Sequence, residues 1–293
     1  MPGHPSRTMD ELIAIAERLT GTFLRSHPIE YVETQLKDLI EGYRPYGISL
    51  FPQHTWFRIV SSGPEGHSNI KRALYHEGGA PAFGRANFPG DKVVYASDNE
   101  KVCFDEMGAS VGDHFHLVRF AVNPELEPKA LVLGVISSFY HSAHAYYAGA
   151  LLDPALMNAC RADSVGFKKS AFVESVISEM YRRPYKRPYE YKVTALFNRL
   201  LAERGGIIYP SVESSHGINI ALPASIFDQS CEILSTHVLR IDSSANYGFY
   251  EFTMLKHSHD IAKDGTIEWQ TSTMEDRKVW GAATPRITLG PRS

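Results

Sequence analysis

Apolar residues recur at helical intervals near the start of the chain and in short β-prone runs through its middle. Met9, Leu12, Ile13, Ala16, Leu19, Thr20 and Phe23 fall on one side of a helix, and Thr8 with Glu11 has the form of a capping box before it. The spacing predicts an amphipathic helix over residues 9–24. Pro28 opens a second, with Tyr31, Val32, Leu36, Leu39 and Ile40 on one side and a stop near Gly42. An isolated helix pair buries such faces only in part. The segment is expected to dock on the rest of the chain or on its counterpart in a second subunit, and two-fold pairing favours a homodimer.

From Ile48 the pattern changes to strands. Thr55 to Val60 (TWFRIV) is aromatic and β-branched, with Arg58 interrupting it, and Lys92 to Ala96 and His114 to Val122 follow as further strands. The segment from Ser61 to Ala82 is polar and Gly-rich, and reads as a lid or an insertion. Leu131 to Ser137, Ile207 to Tyr209 and Ile218 to Leu222 are short strand candidates. Residues 232–241 and 247–255 form a candidate hairpin joined by Asp242 to Asn246. Helices are predicted over 98–108, 170–181 and 189–204, the last carrying Val193, Leu196, Phe197, Leu200 and Leu201 ahead of Gly205 and Gly206. The basic, proline-containing run from Arg182 to Pro188 reads as a loop, residues 139–150 as irregular or helical, and the Pro/Gly-rich tail from Ala282 as ordered only by contacts. Helices and strands mix without a βαβ rhythm, which predicts an α+β fold. The divisions are an N-terminal helical segment over 1–47, a main domain over 48–256 and a C-terminal extension over 257–293.

Composition narrows the partners. A formal charge of −3 over 293 residues gives no reason to expect nucleic acid or an anionic membrane. Cys103, Cys160 and Cys231 follow no metal spacing and read as reduced thiols in a cytoplasm-like compartment. No apolar run has the length of a membrane span, and the N-terminus lacks the apolar core of a signal peptide. GxGxxG after a strand, GxxxxGK[ST], HExxH and CxxC are all missing, so dinucleotide-fold, P-loop, zincin and thioredoxin-like readings lack support. The histidine pairs His114/His116, His141/His144 and His257/His259 have no acidic or cysteine companions at ligand spacing. They read as structural or surface residues, and no metal is expected.

The stretch from Phe83 to Glu106 organises the rest. A Gly-Arg-Ala-Asn-Phe-Pro-Gly segment leads into a short strand, and Ser97 with Glu100 has capping-box form. In a helix over 98–108, Glu106 projects between Val102 and Cys103, inside the apolar stripe. Burying an ionised carboxylate without partners costs several kcal/mol, so this position suggests either a cleft with a cationic partner or a different helix phase.

These residues carry a family resemblance. Phe57-Arg58-Ile59, then Gly84-Arg85 with Asn87 and Gly90, then Val94-Tyr95 with Ser97 and Glu106, and finally Gly206 to Val212 with Gly217, Asn219 and Ala221, resemble the RES domain family in order and spacing. The resemblance implies an ADP-ribosyltransferase-like mixed β core with flanking helices, and NAD as substrate. Characterised members are mostly NAD-consuming toxins, so it also implies an antitoxin or immunity partner. Carried onto this chain, it makes Glu106, Tyr95 and Arg85 the catalytic candidates, and Arg58, Arg85, Asn87, Tyr95, Ser211 and Asn219 the NAD-binding candidates. The expected activity is cleavage of the nicotinamide–ribose bond; transfer of ADP-ribose to a protein or phosphate, and a non-catalytic nucleotide-binding or scaffold protein, are the alternatives.

The chemistry of these side chains agrees. Cleaving an N-glycosidic bond develops oxocarbenium character at the ribose, which a carboxylate such as Glu106 stabilises in a water-poor cleft. Guanidiniums such as those of Arg58 and Arg85 offer paired donors to a pyrophosphate. Tyr95 suits stacking on the nicotinamide or fixing the ribose, and Ser211 suits a bond to a ribose or phosphate oxygen. Each has a plainer role open to it: a surface or inter-strand ion pair for the arginines, a structural ion pair for Glu106, core packing for Tyr95, a strand end for Ser211, and turn hydrogen bonds for Asn87 and Asn219.

Overall fold

The computed structural model describes residues 4–20, 26–50, 54–123, 125–126, 128–145, 152–201, 205–213, 217–245 and 249–273. In chain order these form α1 (Met9–Leu19), α2 (Ile29–Ile40), β1 (Tyr46–Ser49), β2 (Thr55–Ser61), α3 (Lys71–Leu74), β3 (Val93–Ser97), α4 (Glu100–Met107), β4 (His114–Val122) and β5 (Lys129–Val132). There follow α5 (Val135–Ser142), α6 (Asp153–Ala162), α7 (Ser164–Arg182), a 3₁₀ turn (Pro188–Tyr191) and α8 (Lys192–Leu201). Then come β6 (Gly206–Pro210), β7 (Ile218–Pro223), α9 (Ala224–Ser230), β8 (Cys231–Ala245), β9 (Phe249–Ser258) and β10 (Gln270–Thr271).

The strands build one mixed sheet in the order β1-β5-β6-β7-β3-β2-β4-β8-β9-β10, so the fold is α+β as the sequence predicts. Among the described strands only β5 and β6 pair in parallel, and α5 to α8 lie in the long connection that a parallel pair requires. β2 pairs with β4 over its whole length, Thr55↔Ala121 to Ser61↔Phe115, but meets β3 at a single position, Phe57↔Ser97. The sheet therefore parts between β2 and β3, and α4 packs on both. At the other side, β8 pairs with β4 up to His114↔Arg240, is held at Ile241 by the Asp113 carbonyl and the Gly112 amide, and continues with β9 to Ala245↔Phe249, forming an arm. Under α4, Phe57, Ile59, Cys103, Phe104, Phe115, Leu117, Leu239, Ile241 and Met254 make a separate apolar cluster.

The two N-terminal stripes are covered within the chain. Leu12, Ile15 and Leu19 of α1, and Val32, Leu36 and Leu39 of α2, are all buried; the helices pack on each other, α1 on α7 and α2 on α8. Burying each such side chain contributes about 1.5–3 kcal/mol. Docking on the rest of the chain, one of the two expected arrangements, thus covers these faces among the described residues. A polar contact joins the same layers: the Tyr43 hydroxyl donates to Glu174 Oε1 at 3.1 Å and the Ser137 amide to Oε2 at 2.6 Å. Burial pushes the Glu174 carboxyl up to about 7 against the pull of those donors.

The Thr8/Glu11 capping box forms as predicted, and α1 ends at Leu19; residues 21–25 lie outside the described residues. Ser97 and Glu100 make no such box. Asn99 caps α4 by accepting the Lys101 amide, and Glu100 is turned inward and buried. The run 131–137 splits, because Gly134 at φ 92° turns β5 into α5, a conformation only glycine adopts freely. The segment 61–82 is packed rather than a free lid: α3 lies within it, and Ile70, Ala73 and Leu74 are core residues. The expected hairpin turn over 242–246 begins too early, since β8 continues to Ala245; residues 246–248 lie outside the described residues. The tail from Ala282 lies outside them as well, as do residues 146–150. Helices α6 and α9 have no counterpart in the sequence reading.

Candidate active site

Glu106 stands on the last turn of α4, one turn after the buried Val102 and Cys103, and is itself half-buried. Three donors converge on one of its oxygens. The Ser211 hydroxyl lies 2.6 Å from Oε1, the Asn219 side-chain amide 2.8 Å and the Val212 backbone amide 3.1 Å. Oε2 has no hydrogen-bond partner among the described residues. The cationic partner that the apolar setting suggests is thus replaced by neutral donors, each worth about 1.5–3 kcal/mol to a charged acceptor. Ser211 follows the end of β6, and its amide donates to Gly217 carbonyl at 2.9 Å, drawing the start of β7 close. Gly217 is needed there, since a Cβ would fall 2.6 Å from a Val102 methyl.

Arg58 occupies the parting of the sheet. Its Nη1 donates to the Tyr95 carbonyl at 3.2 Å and its Nε reaches the Ala73 carbonyl at 3.4 Å. The guanidinium thereby serves backbone carbonyls where β2 and β3 no longer pair. Burial lowers its pKa, yet a guanidinium stays protonated. Among the described residues no carboxylate pairs with it, and its Nη2 has no partner. A half-buried cation without a carboxylate partner attracts an anion.

Arg85 lies on the loop before β3. Its Nη1 donates to the carbonyls of Tyr181 at 2.5 Å and Arg183 at 3.0 Å, its charge lies 5.5 Å from the centre of the Tyr191 ring, and it has no ion pair among the described residues. Tyr95 and Asn87 hold this loop. The Tyr95 hydroxyl donates to Asn87 Oδ1 at 2.7 Å and accepts the Ala86 amide at 2.9 Å, while the Asn87 amide donates to the Ala82 and Phe88 carbonyls at 3.0 Å. Asn198 of α8 adds a bond to the Ala86 carbonyl at 2.8 Å. Tyr95 and Asn87 thus spend their polar atoms on the turn that carries Arg85, the plainer of the roles open to Asn87. Burial raises the Tyr95 phenol above its ordinary range, so it stays protonated.

Tyr209 of β6 ties the two halves together. It is buried, its ring lies 5.0 Å from that of Tyr181, and it is paired in register with Asn219. Burial raises its phenol well above the usual value; Tyr95 and Glu106 act the same way while Arg85 opposes them, which puts all three within electrostatic reach. Glu106, Ser211 and Asn219 therefore form one cluster, Arg85, Asn87 and Tyr95 a second, and Arg58 bridges toward the second through Tyr95. Tyr209, Asn198 and the Val212 amide are the members that the sequence reading passed over as site residues. Tyr209 and Val212 are visible as motif positions, whereas Asn198 is brought in only by the fold.

Cys103 is a core thiol, donating to the Phe57 carbonyl at 3.1 Å and pushed up to about 12 by burial. Among the histidines, His116 is fully buried between the His67 amide and the Thr236 hydroxyl, and burial lowers it to about 3. His144 contacts Asp153 at 2.8 Å. Among the described residues no group of three or more His, Cys, Asp or Glu side chains is placed to hold a metal ion, and no helix is long and apolar enough to cross a membrane.

The sequence model of the RES domain matches residues 55–238 and so takes in every candidate residue above. The chain belongs to the RES domain family, which is associated with NAD-using enzymes. No curated protein and no solved structure is matched by the chain.

Proposed function

We propose that the protein consumes NAD by cleaving its nicotinamide–ribose bond. The observation that carries this reading is the hydrogen bonding of Glu106: three donors fix Oε1, and Oε2 is left for a ligand. As the C–N bond breaks, positive charge grows on the ribose, and a carboxylate already oriented stabilises it without reorganising in the transition state. Arg58 and Arg85 suit the pyrophosphate, because both are cationic, lack carboxylate partners among the described residues and retain N–H donors. Asn87 and Tyr95 shape the turn under Arg85, while Ser211 and Asn219 orient Glu106. In this reading residues 48–256 are the catalytic unit, 1–47 an attached helical layer and 257–293 an extension. NAD is substrate and no metal takes part. A cytoplasmic setting and an antitoxin or immunity partner belong to the same reading.

Transfer of ADP-ribose to a protein or to phosphate uses the same cleavage and differs only in the acceptor. Incubating the purified protein with NAD and identifying the products tests both. Nicotinamide with ADP-ribose supports hydrolysis, and nicotinamide with a modified acceptor supports transfer. Unchanged NAD rejects both and leaves a binding or scaffold role.

A further inference from the structure

Ser97 has no place in the assigned site, yet it controls one of the three bonds on Glu106. Ser97 and Asn219 are register partners on β3 and β7, so their side chains leave the sheet on one face. Both are buried, at 4% and 5% exposure, which leaves little water to compete. The Ser97 hydroxyl lies 2.5 Å from Asn219 Oδ1, and Asn219 Nδ2 lies 2.8 Å from Glu106 Oε1.

A carboxamide fits such a slot in two orientations that differ by exchange of O and N. A carboxylate accepts only, so Nδ2 must face Glu106, and the flipped amide would set two acceptors against each other. The opposite end must then find a donor. The Cys103 thiol nearby gives its proton to the Phe57 carbonyl, and the Ser97 hydroxyl supplies the bond to Oδ1. Resting on the reading of Glu106 as the NAD-cleaving carboxylate, we propose that Ser97 is a positioning residue: it locks the Asn219 amide so that Nδ2 holds Glu106 and Oε2 stays turned to the substrate. Without the hydroxyl, Oδ1 is a buried acceptor with no donor, and the amide turns in search of one.

The test uses the full chain as wild type, Ser97→Ala, Ser97→Cys and Ser97→Thr, with nicotinamide release from NAD, ADP-ribose titration and thermal unfolding. Ser97→Ala should lose about tenfold or more in kcat well below its unfolding midpoint, with KM and ADP-ribose affinity within about twofold. Ser97→Thr, which keeps the hydroxyl, should return kcat to within about threefold of wild type, and Ser97→Cys, a weaker donor, should fall between. A Ser97→Ala variant with wild-type kcat, or a Thr variant as slow as Ala, overturns the proposal even if the midpoint falls. If Ser97→Ala does not fold, the ordering of Thr above Cys decides. Should the wild type release no nicotinamide, the NAD reading fails separately, and the Asn219 side-chain amide resonances decide the linkage. They should move in both Glu106→Gln and Ser97→Cys, and signals unmoved in either variant overturn it.

Discussion

Asn219 and Glu106 stand 113 positions apart in the chain and are joined at 2.8 Å, from a central strand to the last turn of a helix. The bond shares its acceptor atom with Ser211 and the Val212 amide, so among the described residues the carboxylate is held through one oxygen. That asymmetry separates orientation from chemistry and makes the first expectation sharp. Glu106→Gln should keep the fold and much of the NAD affinity while losing about 10²–10³ in turnover, the usual worth of one well-placed electrostatic group. Steady-state kinetics beside a melting curve checks it. Undiminished turnover removes Glu106 from the mechanism, and a large loss of stability with little loss of turnover makes it a structural residue.

Arg58 and Arg85 should act on binding. Replacing either by Ala should weaken NAD and free ADP-ribose alike, by about tenfold or more, because the pyrophosphate is common to both. Lys should restore only part, since a point charge cannot reproduce the fork that serves two carbonyls and a phosphate together. Calorimetric titration decides, and unchanged affinity for both ligands returns these side chains to a backbone-bracing role.

Tyr95→Phe separates stacking from bracing. The variant keeps the ring but loses the bonds to Asn87 and Ala86, leaving a buried amide and a buried carbonyl oxygen without partners. It should lose about 1–3 kcal/mol of stability and raise KM as the Arg85 turn loosens. Denaturant unfolding and kinetics on one preparation check it. Full stability with lowered kcat would assign the hydroxyl to the chemistry instead.

Glu174 sets a pH dependence away from the site. Its carboxyl titrates near about 7 in the folded protein and near 4.5 when unfolded, so the folded state holds its proton more tightly. The stability this contributes is fully present below about 4.5 and is lost as pH rises through about 7. Each unit of separation is worth about 1.4 kcal/mol. The unfolding free energy of wild type minus that of Glu174→Gln should therefore be largest near pH 5 and smallest near pH 8. A difference that is flat across that range, or that grows with pH, defeats the assignment.

The sequence revealed what is local. The stripe of α2, the Thr8 box and the placing of Glu106 inside an apolar helix face follow from side-chain spacing alone, and each is present. Capping at Ser97 failed because Asn99, a better-placed acceptor, took the role and freed Ser97 to reach Asn219 across the sheet. The single strand expected over 131–137 failed because one left-handed glycine outweighs a continuous apolar run. Spacing tells that a face is apolar but not what covers it, and the described parts of the N-terminal stripes are covered by α7, α8 and each other. The partners of Glu106, 105 to 113 positions away, are set by strand register, which no local pattern encodes.

The arm formed by β8 and β9 bears on how the protein can be cut and recombined. The family match stops at Val238, midway along β8, but the arm beyond it reaches back to α4: the Tyr250 hydroxyl donates to Asp105 at 2.7 Å, and Tyr250 and Phe252 pack on Phe104. The helix bearing Glu106 is therefore walled on one side by chain that lies outside the family boundary. A fragment trimmed to that boundary, or a chimera joined there, would sever β8 in mid-strand and strip the cover from Phe104. Nor does a cut at the end of β9 spare the fold, because β10 pairs with β9, Ile267 is buried in the main core and the Trp269 indole donates to the His67 carbonyl at 3.2 Å; the natural place for a cut lies past Ser272.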